Sequence, residues 1–464
     1  MAAIADLTSA DLIGQYRRWT LSPVEVIADT LDRIEAARAF NAFVVVDRDN
    51  AIAAAQESEK RWQRGMPVGR ADGVPITVKD NIWVRGLPAL KGSKTADPSP
   101  LSEDAPSVAR LREEGAIILG KTTMPEYGWI GACHSPLTGI TRNPWNPERT
   151  TGGSTGGGAV TALLNLGTMH LGTDGAGSLR IPAAFTGVFG MKPTYGLVPA
   201  YPASPFNVLA HQGPIARTVA DAALTLSIIS GPDLRDMTAW NCPATDFVAD
   251  LERGVRGLRI AWSPRLGTVR ALDPEIESAA RQAAEALARQ GAILEDADPD
   301  LARAGEIIRV LWFAGAKSIV DAVPESARSQ MDSGFLECAE QGRGISAVDY
   351  LAAYSARAEL YRTMLDFHAR YDLLMTPTMP ITALEVGRIA PAQGPYGRDW
   401  LDWSPYTYPF NLTQQPVASA PCGIASDGLP IGVQVIGARG ADSLVLQAAR
   451  ALERVLPFAQ PKTN

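Results

Sequence analysis

The sequence predicts an α/β fold: one large domain in which a mixed, mostly parallel sheet lies between layers of α-helices. Three observations carry this expectation. Short β-branched runs alternate with amphipathic helical stretches along the chain. The 464 residues contain no Ser/Gly/Pro-rich linker, low-complexity tract or fixed-period repeat, so one large domain, or two intimately packed halves, fits better than a string of small ones. The composition is 46% hydrophobic and 20% charged, as in a chain that buries a sizeable core.

The elements follow in order. Thr8 or Ser9 caps a first helix. Ser22-Pro23 opens a second, with a hydroxyl at the N-cap, Pro at the first helical position and Val24, Ile27, Leu31 and Ile34 at helical spacing. "NAFVVVD" (41–47) and "GVPITVKDNI" (73–82) read as strands, and "EDAPSVARLREEG" as a helix feeding the apolar "AIILGKT". Further on, "GLRIAWSPRL" reads as a strand, 274–290 as a helix and "AILEDA" as a strand. Long helices are expected over 302–323 and 346–371, buried strands at "YDLLMTPT" and "LPIGVQVIGA", and a closing helix over 442–456.

Charge and cysteine usage exclude several classes of function. The net charge is −7 and the pI near 5.3, with no Lys/Arg block, so neither nucleic acid nor an anionic membrane is the expected partner. "MAAIADLTSADLIGQYRRW" carries Asp6 and Asp11 where a secretory leader has a basic segment and then an apolar core. No apolar run reaches membrane-spanning length. Cys133, Cys242, Cys338 and Cys422 lie far apart without a CxxC pair, which argues against a zinc ribbon or disulfide framework and suits a reducing cytoplasm. No cofactor or metal is expected.

The chemistry concentrates in two Gly/Ser clusters, "RTTGGSTGGGAVTALL" (149–164) and "LGTDGAGSLRIPAAFTG" (171–187). No window gives G-x-x-x-x-G-K-[ST], and Gly175 and Gly177 are followed by Arg180 rather than by the third glycine of G-x-G-x-x-G, so phosphate binding is weakly supported. Gly152-Gly153-Ser154-Thr155-Gly156 does match the nucleophile elbow G-x-S-x-G, but "NPWNPERTT" before it reads as a loop rather than a strand. Of the downstream histidines, His211 and His368, the second sits among apolar residues at helical spacing, where a packed histidine is the commoner case. Glycines at 175 and 177 before Ser178 let successive backbone N–H groups converge as an oxyanion site requires. The apolar "AVTALLNLGTMHLG" between the clusters is expected to fold back as a helix and bring Ser154 and Ser178 together.

A serine nucleophile still needs a base, and a lysine serves only when neutral. The chain has eight lysines against thirty-five arginines. Lys79, at the end of the apolar run "GVPITVK", is placed where desolvation would lower its pKa, although a strand-terminal lysine that snorkels to solvent is the blander reading.

Taken together, "GVPITVKDNI" (73–82), "GKTTMPEYGW" (120–129), "TRNPWNPERTTGGSTGGGA" (141–159), "LGTDGAGSLRIPAAFTGVFGMKPTYG" (171–196) and "GPIARTVADAAL" (213–224) resemble the amidase signature family. "YDLLMTPTMP" (371–380), "YPFNLTQQPVASAPCG" (408–423) and "GLPIGVQVIG" (428–437) resemble its C-terminal half, so the likeness covers nearly the whole chain in order. It implies the amidase signature fold as one domain over 1–464, with a signature core at about 73–230 and a C-terminal half at about 255–460 that completes the sheet and substrate pocket. It also implies a Ser–cis-Ser–Lys triad with Ser178 as nucleophile, Ser154 as the cis bridging serine and Lys79 as base. The backbone of Gly175, Ala176, Gly177 and Ser178 would form the oxyanion site, and the reaction would pass through an acyl-enzyme.

Two positions depart from the family pattern. Ala176 replaces a glycine of T-D-x-G-G-S, and Thr155 replaces a serine after the bridging one. Thr155 keeps a hydroxyl, while Ala176 accepts positive φ poorly. Asp174 and Arg180 are expected to support the loop as a structural ion pair. Tyr127 and Trp129 follow a segment that borders the pocket in relatives, so they either line the pocket or, as is commoner for an aromatic, pack in the core; the aromatic stretch 394–411 is likewise either a packed loop or a pocket wall. The implied activity is hydrolysis of C–N bonds in small carboxamides, bulky or aromatic amides and anilides among them, with esters and carbamates as related substrates. The alternative is the glutamine-hydrolysing A subunit of a tRNA-dependent amidotransferase. A homodimer is common in such relatives.

Overall fold

Eleven strands of the computed structural model pair into one sheet. The structure describes residues 3–241, 245–397 and 399–461. In chain order the strands are β1 (Phe43–Val46), β2 (Pro75–Lys79), β3 (Ile117–Thr122), the short hairpin strands β4 (His134–Ser135), β5 (Gly139–Ile140), β6 (Arg142–Asn143) and β7 (Asn146–Thr150), then β8 (Met169–Asp174), β9 (Phe189–Lys192), β10 (His211–Ala216), β11 (Arg259–Trp262), β12 (Ile293–Asp296), β13 (Leu373–Pro377), β14 (Val417–Ile424) and β15 (Pro430–Gly437). The large sheet has the order β1-β3-β2-β8-β10-β9-β14-β15-β13-β11-β12.

The chain is thus a single large α/β domain with a mixed sheet. Parallel pairing holds on the flanks, where β2 joins β3 and β8, and β11 joins β12 and β13. The centre differs from the expected parallel majority. From β8 through β10, β9, β14 and β15 to β13 every neighbouring pair is antiparallel, as is β1 with β3. Short connections such as β14 to β15 return the chain beside itself, and a parallel neighbour would need a long crossover there.

Local signals explain the flanks. Thr8 and Ser22 each form a capping box, with Asp11 and Glu25, at the heads of Ser9–Arg18 and Pro23–Ala36. The helices Pro106–Glu113, Pro274–Arg289, Ala304–Ala322, Ala347–His368 and Asp442–Val455 lie where apolar spacing places them. On one face, Pro106–Glu113, Val219–Ile229, Pro274–Arg289 and Asp442–Val455 bury a core over Ile76, Val78, Leu171, Val433 and Val435. Against the other face lie two short, wholly buried helices, Gly156–Leu163 over β2, β8 and β10, and Arg180–Thr186 over β9, β14 and β15.

The expected fold-back helix between the Gly/Ser clusters is only half helix. The chain leaves along Gly156–Leu163 and returns as β8, so a helix and a strand, rather than one long helix, bring the clusters together. No helix among the described residues is long and apolar enough to cross a membrane. Cys133, Cys338 and Cys422 are free thiols, and Cys242 lies outside the described residues.

Candidate active site

β2 and β8 are adjacent and parallel, in the register Ile76↔Met169, Thr77↔His170 and Val78↔Leu171. Their carboxyl ends therefore open on the same edge of the sheet, which is where α/β sheets place ligands. Lys79 closes β2 and Thr173-Asp174 close β8 at that edge. Ser154 and Ser178 arrive there from the loops heading the two buried helices.

The glycines of the first cluster answer to packing rather than to a bound phosphate. A Cβ on Gly157 would lie 2.4 Å from the Ala42 carbonyl oxygen, and Gly152 takes a φ of 76°. The peptide between Gly153 and Ser154 is cis.

Lys79 is fully buried, and its Nζ lies 2.7 Å from Ser154 Oγ, 2.8 Å from Thr173 Oγ1 and 3.1 Å from Thr155 Oγ1. Thr155 Oγ1 donates in turn to the Thr173 carbonyl at 3.1 Å. Burial pulls the Lys79 pKa from its ordinary value down to about 7. Hydroxyl partners both donate and accept, so this surrounding accommodates the amine as well as the ammonium. Ser154 and Ser178 both reach the floor of an adjoining cleft of about 840 Å³. Among the described residues no hydrogen bond joins the two hydroxyls directly, and Ser178 Oγ carries no partner.

Asp174 and Arg180 form the expected ion pair, fully buried and doubly bonded, with Arg180 Nε on Oδ2 and Nη2 on Oδ1, each at 3.0 Å. Burial alone would raise the carboxyl's pKa, but the guanidinium and the Asn411 amide hold it well below the usual carboxylate range. The same carboxylate accepts the N–H groups of Gly177 (2.8 Å) and Leu179 (3.1 Å), and so shapes the loop that presents Ser178. One expectation changes here: the Gly177 N–H is already taken by Asp174, which leaves the N–H groups of Gly175, Ala176 and Ser178 for an oxyanion. Ala176 meets no conformational obstacle, because Gly177 carries the positive φ (131°) and Ala176 does not.

The two aromatic candidates separate. Tyr127 lines the serine cleft. Trp129 does not: it is buried against Phe335 and borders a second cavity, of about 640 Å³, with Cys338 and Trp400. Its side chain follows a turn in which Tyr127 (φ 50°) and Gly128 (φ 75°) are left-handed, so neighbours in sequence point into different spaces. Within the stretch 394–411, Trp400, Trp403, Tyr406 and Tyr408 are buried core, behind the cleft rather than on it. The cleft's aromatic wall comes instead from Trp83, Tyr201, Phe206 and Trp312, the last two stacked at 4.1 Å. These were missed because they are scattered over three distant segments, Tyr201 and Phe206 sharing one loop, and Trp312 reads as one more core residue of its helix. Thr173 and Asn411 were also missed as contacts, although both fall in quoted motifs. His211 lines the cleft with Nδ1 on the Leu209 carbonyl (2.8 Å), its Nε2 has no hydrogen-bond partner, and among the described residues no hydrogen bond joins it to either serine; burial pushes its pKa well below the ordinary value.

A family model described as Amidase matches residues 25–446. The chain belongs to the amidase family. An acylamidase of Rhodococcus erythropolis is 35% identical over 463 residues, covering 98% of this amidase and 97% of that protein. The A subunit of the glutamyl-tRNA(Gln) amidotransferase of Myxococcus xanthus is 34% identical over 482 residues, with 98% of each covered. Among solved structures, a bacterial aryl acylamidase of the amidase signature enzymes superposes on this amidase with a TM-score of 0.90 at 28% identity, covering 98% of both chains.

Proposed function

We propose that this amidase hydrolyses the C–N bond of small carboxamides with bulky or aromatic groups, acylamides and anilides foremost, through Lys79, Ser154 and Ser178. The observation that carries the proposal is a buried lysine, with its pKa near 7, 2.7 Å from a serine hydroxyl on the floor of an aromatic cleft. Neutral Lys79 takes the Ser154 proton as Ser154 takes that of Ser178. The rotation of the unpartnered Ser178 hydroxyl closes the second link. Ser178 Oγ then attacks the carbonyl carbon, and the oxyanion is met by the N–H groups of Gly175, Ala176 and Ser178. As the C–N bond breaks, the leaving amine receives the proton through the same chain. Water then adds to the acyl-enzyme, gives its proton to the relay and releases the acid.

The acylamidase and aryl acylamidase likenesses support this substrate class, as does the Trp83, Phe206 and Trp312 wall. Esters and carbamates present the same carbonyl chemistry and belong in the test. Turnover of aliphatic amides, anilides, carbamates, esters and glutamine is compared between wild type and Ser178→Ala. Anilide hydrolysis that disappears in Ser178→Ala is expected, and equal rates in the two proteins overturn the proposal. The amidotransferase relatives keep a second reading in view. Glutamine hydrolysis that appears only on addition of partner subunits favours it.

A further inference from the structure

Outside the relay, two charged side chains line the cleft, Lys91 and Asp97, and Lys91 is the one drawn partly out of water. Lys91 sits at the tip of a turn, with a φ of 55°. Asp80, the residue after β2, accepts the N–H groups on either side of it, Leu90 at 3.3 Å and Gly92 at 3.2 Å. The Lys91 carbonyl accepts the N–H of Tyr127 at 2.8 Å. The turn is thus tied to the end of β2 and to the Tyr127 segment, and from it the half-buried Lys91 side chain forms part of the cleft wall.

A half-buried cation loses part of its hydration and gains from a counter-charge. Among the described residues Lys91 has none within 4 Å. Asp80, the acid that acts on it, is fully buried and lies 3.7 Å from Lys121. Its one close partner is the Tyr127 ring, with 5.9 Å from Nζ to the centroid, at the outer limit of a cation–π contact. The other titratable side chains lining the cleft do not balance the charge. His211 is held neutral by burial, Tyr127 and Tyr201 are phenols, and Asp97 stands exposed on a rim turn with its carboxylate on the Ser99 N–H. Among the described residues lining the cleft, Lys91 is thus the one cation, and the one carboxylate, Asp97, is exposed and turned to the Ser99 N–H rather than paired with it.

We propose that Lys91 is a specificity-determining residue that receives a carboxylate carried by the amide substrate, so that the preferred substrates of this cleft are anionic amides. The proposal deepens the amidase reading and rests on it. A substrate carboxylate over the Tyr127 face supplies the missing counter-charge and a charge-assisted hydrogen bond.

The test compares two matched pairs in wild type, Lys91→Met and Lys91→Arg. 4-Acetamidobenzoate against 4-methylacetanilide places the carboxylate on the leaving group, and N-phenylsuccinamate against butyranilide places it on the acyl group. The quantity read is the anionic-to-neutral ratio of kcat/KM, in which leaving-group electronics and any common loss of activity cancel between variants. In at least one pair, Lys91→Met is expected to lower that ratio by roughly ten- to hundredfold, with Lys91→Arg restoring most of it. The same discrimination is expected in calorimetric binding of the four compounds to Ser178→Ala with and without Lys91→Met. Ratios and affinities that Lys91→Met leaves unchanged in both pairs overturn the proposal. Hydrolysis indifferent to Ser178→Ala overturns the amidase mechanism instead, and the binding arm still decides the role of Lys91.

Discussion

If neutral Lys79 is the base, its titration must appear in the rate, and removing its amine must affect activity and stability in opposite directions. With a pKa of about 7, only about 1% of the side chain is neutral at pH 5, against about 90% at pH 8. The value of kcat/KM on an anilide should therefore fall about a hundredfold from pH 8 to pH 5, with a slope of one. Asp174 stays ionised throughout that window, because Arg180 and Asn411 hold its carboxyl below the usual range, so the loop carrying Ser178 is unchanged while Lys79 titrates. Lys79→Met should cost roughly 10²–10⁴ in kcat/KM, the usual worth of a positioned base. The stability effect has the other sign. The folded pKa lies below the unfolded value, so from about pH 7 to about 10.5 the unfolded chain holds a proton that the folded chain lacks, and stability rises with pH across that window. At and below pH 7 the buried amine is at its most costly. Replacing it with a methionine thioether is expected to raise the unfolding free energy there by on the order of 1–3 kcal/mol, even though the hydrogen bonds to Ser154, Thr155 and Thr173 disappear with it. Steady-state kinetics from pH 5 to 9 and urea unfolding at pH 6 and pH 9 measure both effects. A flat profile between pH 5 and pH 8, or a Lys79→Met enzyme within tenfold of wild type, refutes the assignment of Lys79 as base.

Two further outcomes follow from the loop behind Ser178. Asp174→Asn leaves the fully buried Arg180 guanidinium without its counter-charge, and urea unfolding should report a loss of about 3–5 kcal/mol; the double variant Asp174→Asn/Arg180→Met should lose less than the sum of the two single ones. Gly177→Ala would place a Cβ 2.5 Å from Thr407 Oγ1, the hydroxyl that holds the Ala176 carbonyl at 2.6 Å, on a backbone with φ of 131°. A fall in kcat larger than any rise in KM is expected, at a stability cost of about 1–3 kcal/mol, and wild-type kcat in that variant would count against the oxyanion role of this loop.

What the sequence made legible divides along the sheet. The flanking strands β1, β2, β3, β11, β12 and β13 are short, mostly apolar runs, and the helix heads at Thr8 and Ser22 carry their capping hydroxyls openly. The four adjacent central strands β8, β10, β9 and β14 did not read as strands. Their sequences MHLGTD, HQGPIA, FGMK and VASAPCGI mix Gly, Pro and His without alternation. They are extended because neighbours bond them on both edges and helices bury them, and this tertiary context outweighs their weak propensity. Lys79, Ser154 and Ser178 were singled out by the resemblance of their motifs to the amidase signature; from its own segment Lys79 read more simply as a strand-terminal lysine reaching solvent, because its burial depends on residues distant in sequence.

The same division separates chemistry from selectivity. The lysine and the ion pair lie on two parallel strands and a short helix, and both serines on the loops heading two short helices; in these four elements nearly every residue is buried and packing leaves little freedom to vary. The cleft above them is assembled from residues on scattered supports: Trp83 after β2, Lys91 on its turn, Tyr127 between β3 and β4, Tyr201 and Phe206 on the loop between β9 and β10, and Trp312 on a helix from the C-terminal half. Each of these can change without disturbing the Lys79–Ser154 contact, because none bonds to either side chain. Substrate choice is therefore able to drift while the Lys79–Ser154 contact stays fixed, which accounts for a reaction class that motifs reveal and a substrate that we propose the assembled cleft, with its aromatic wall and Lys91, to specify.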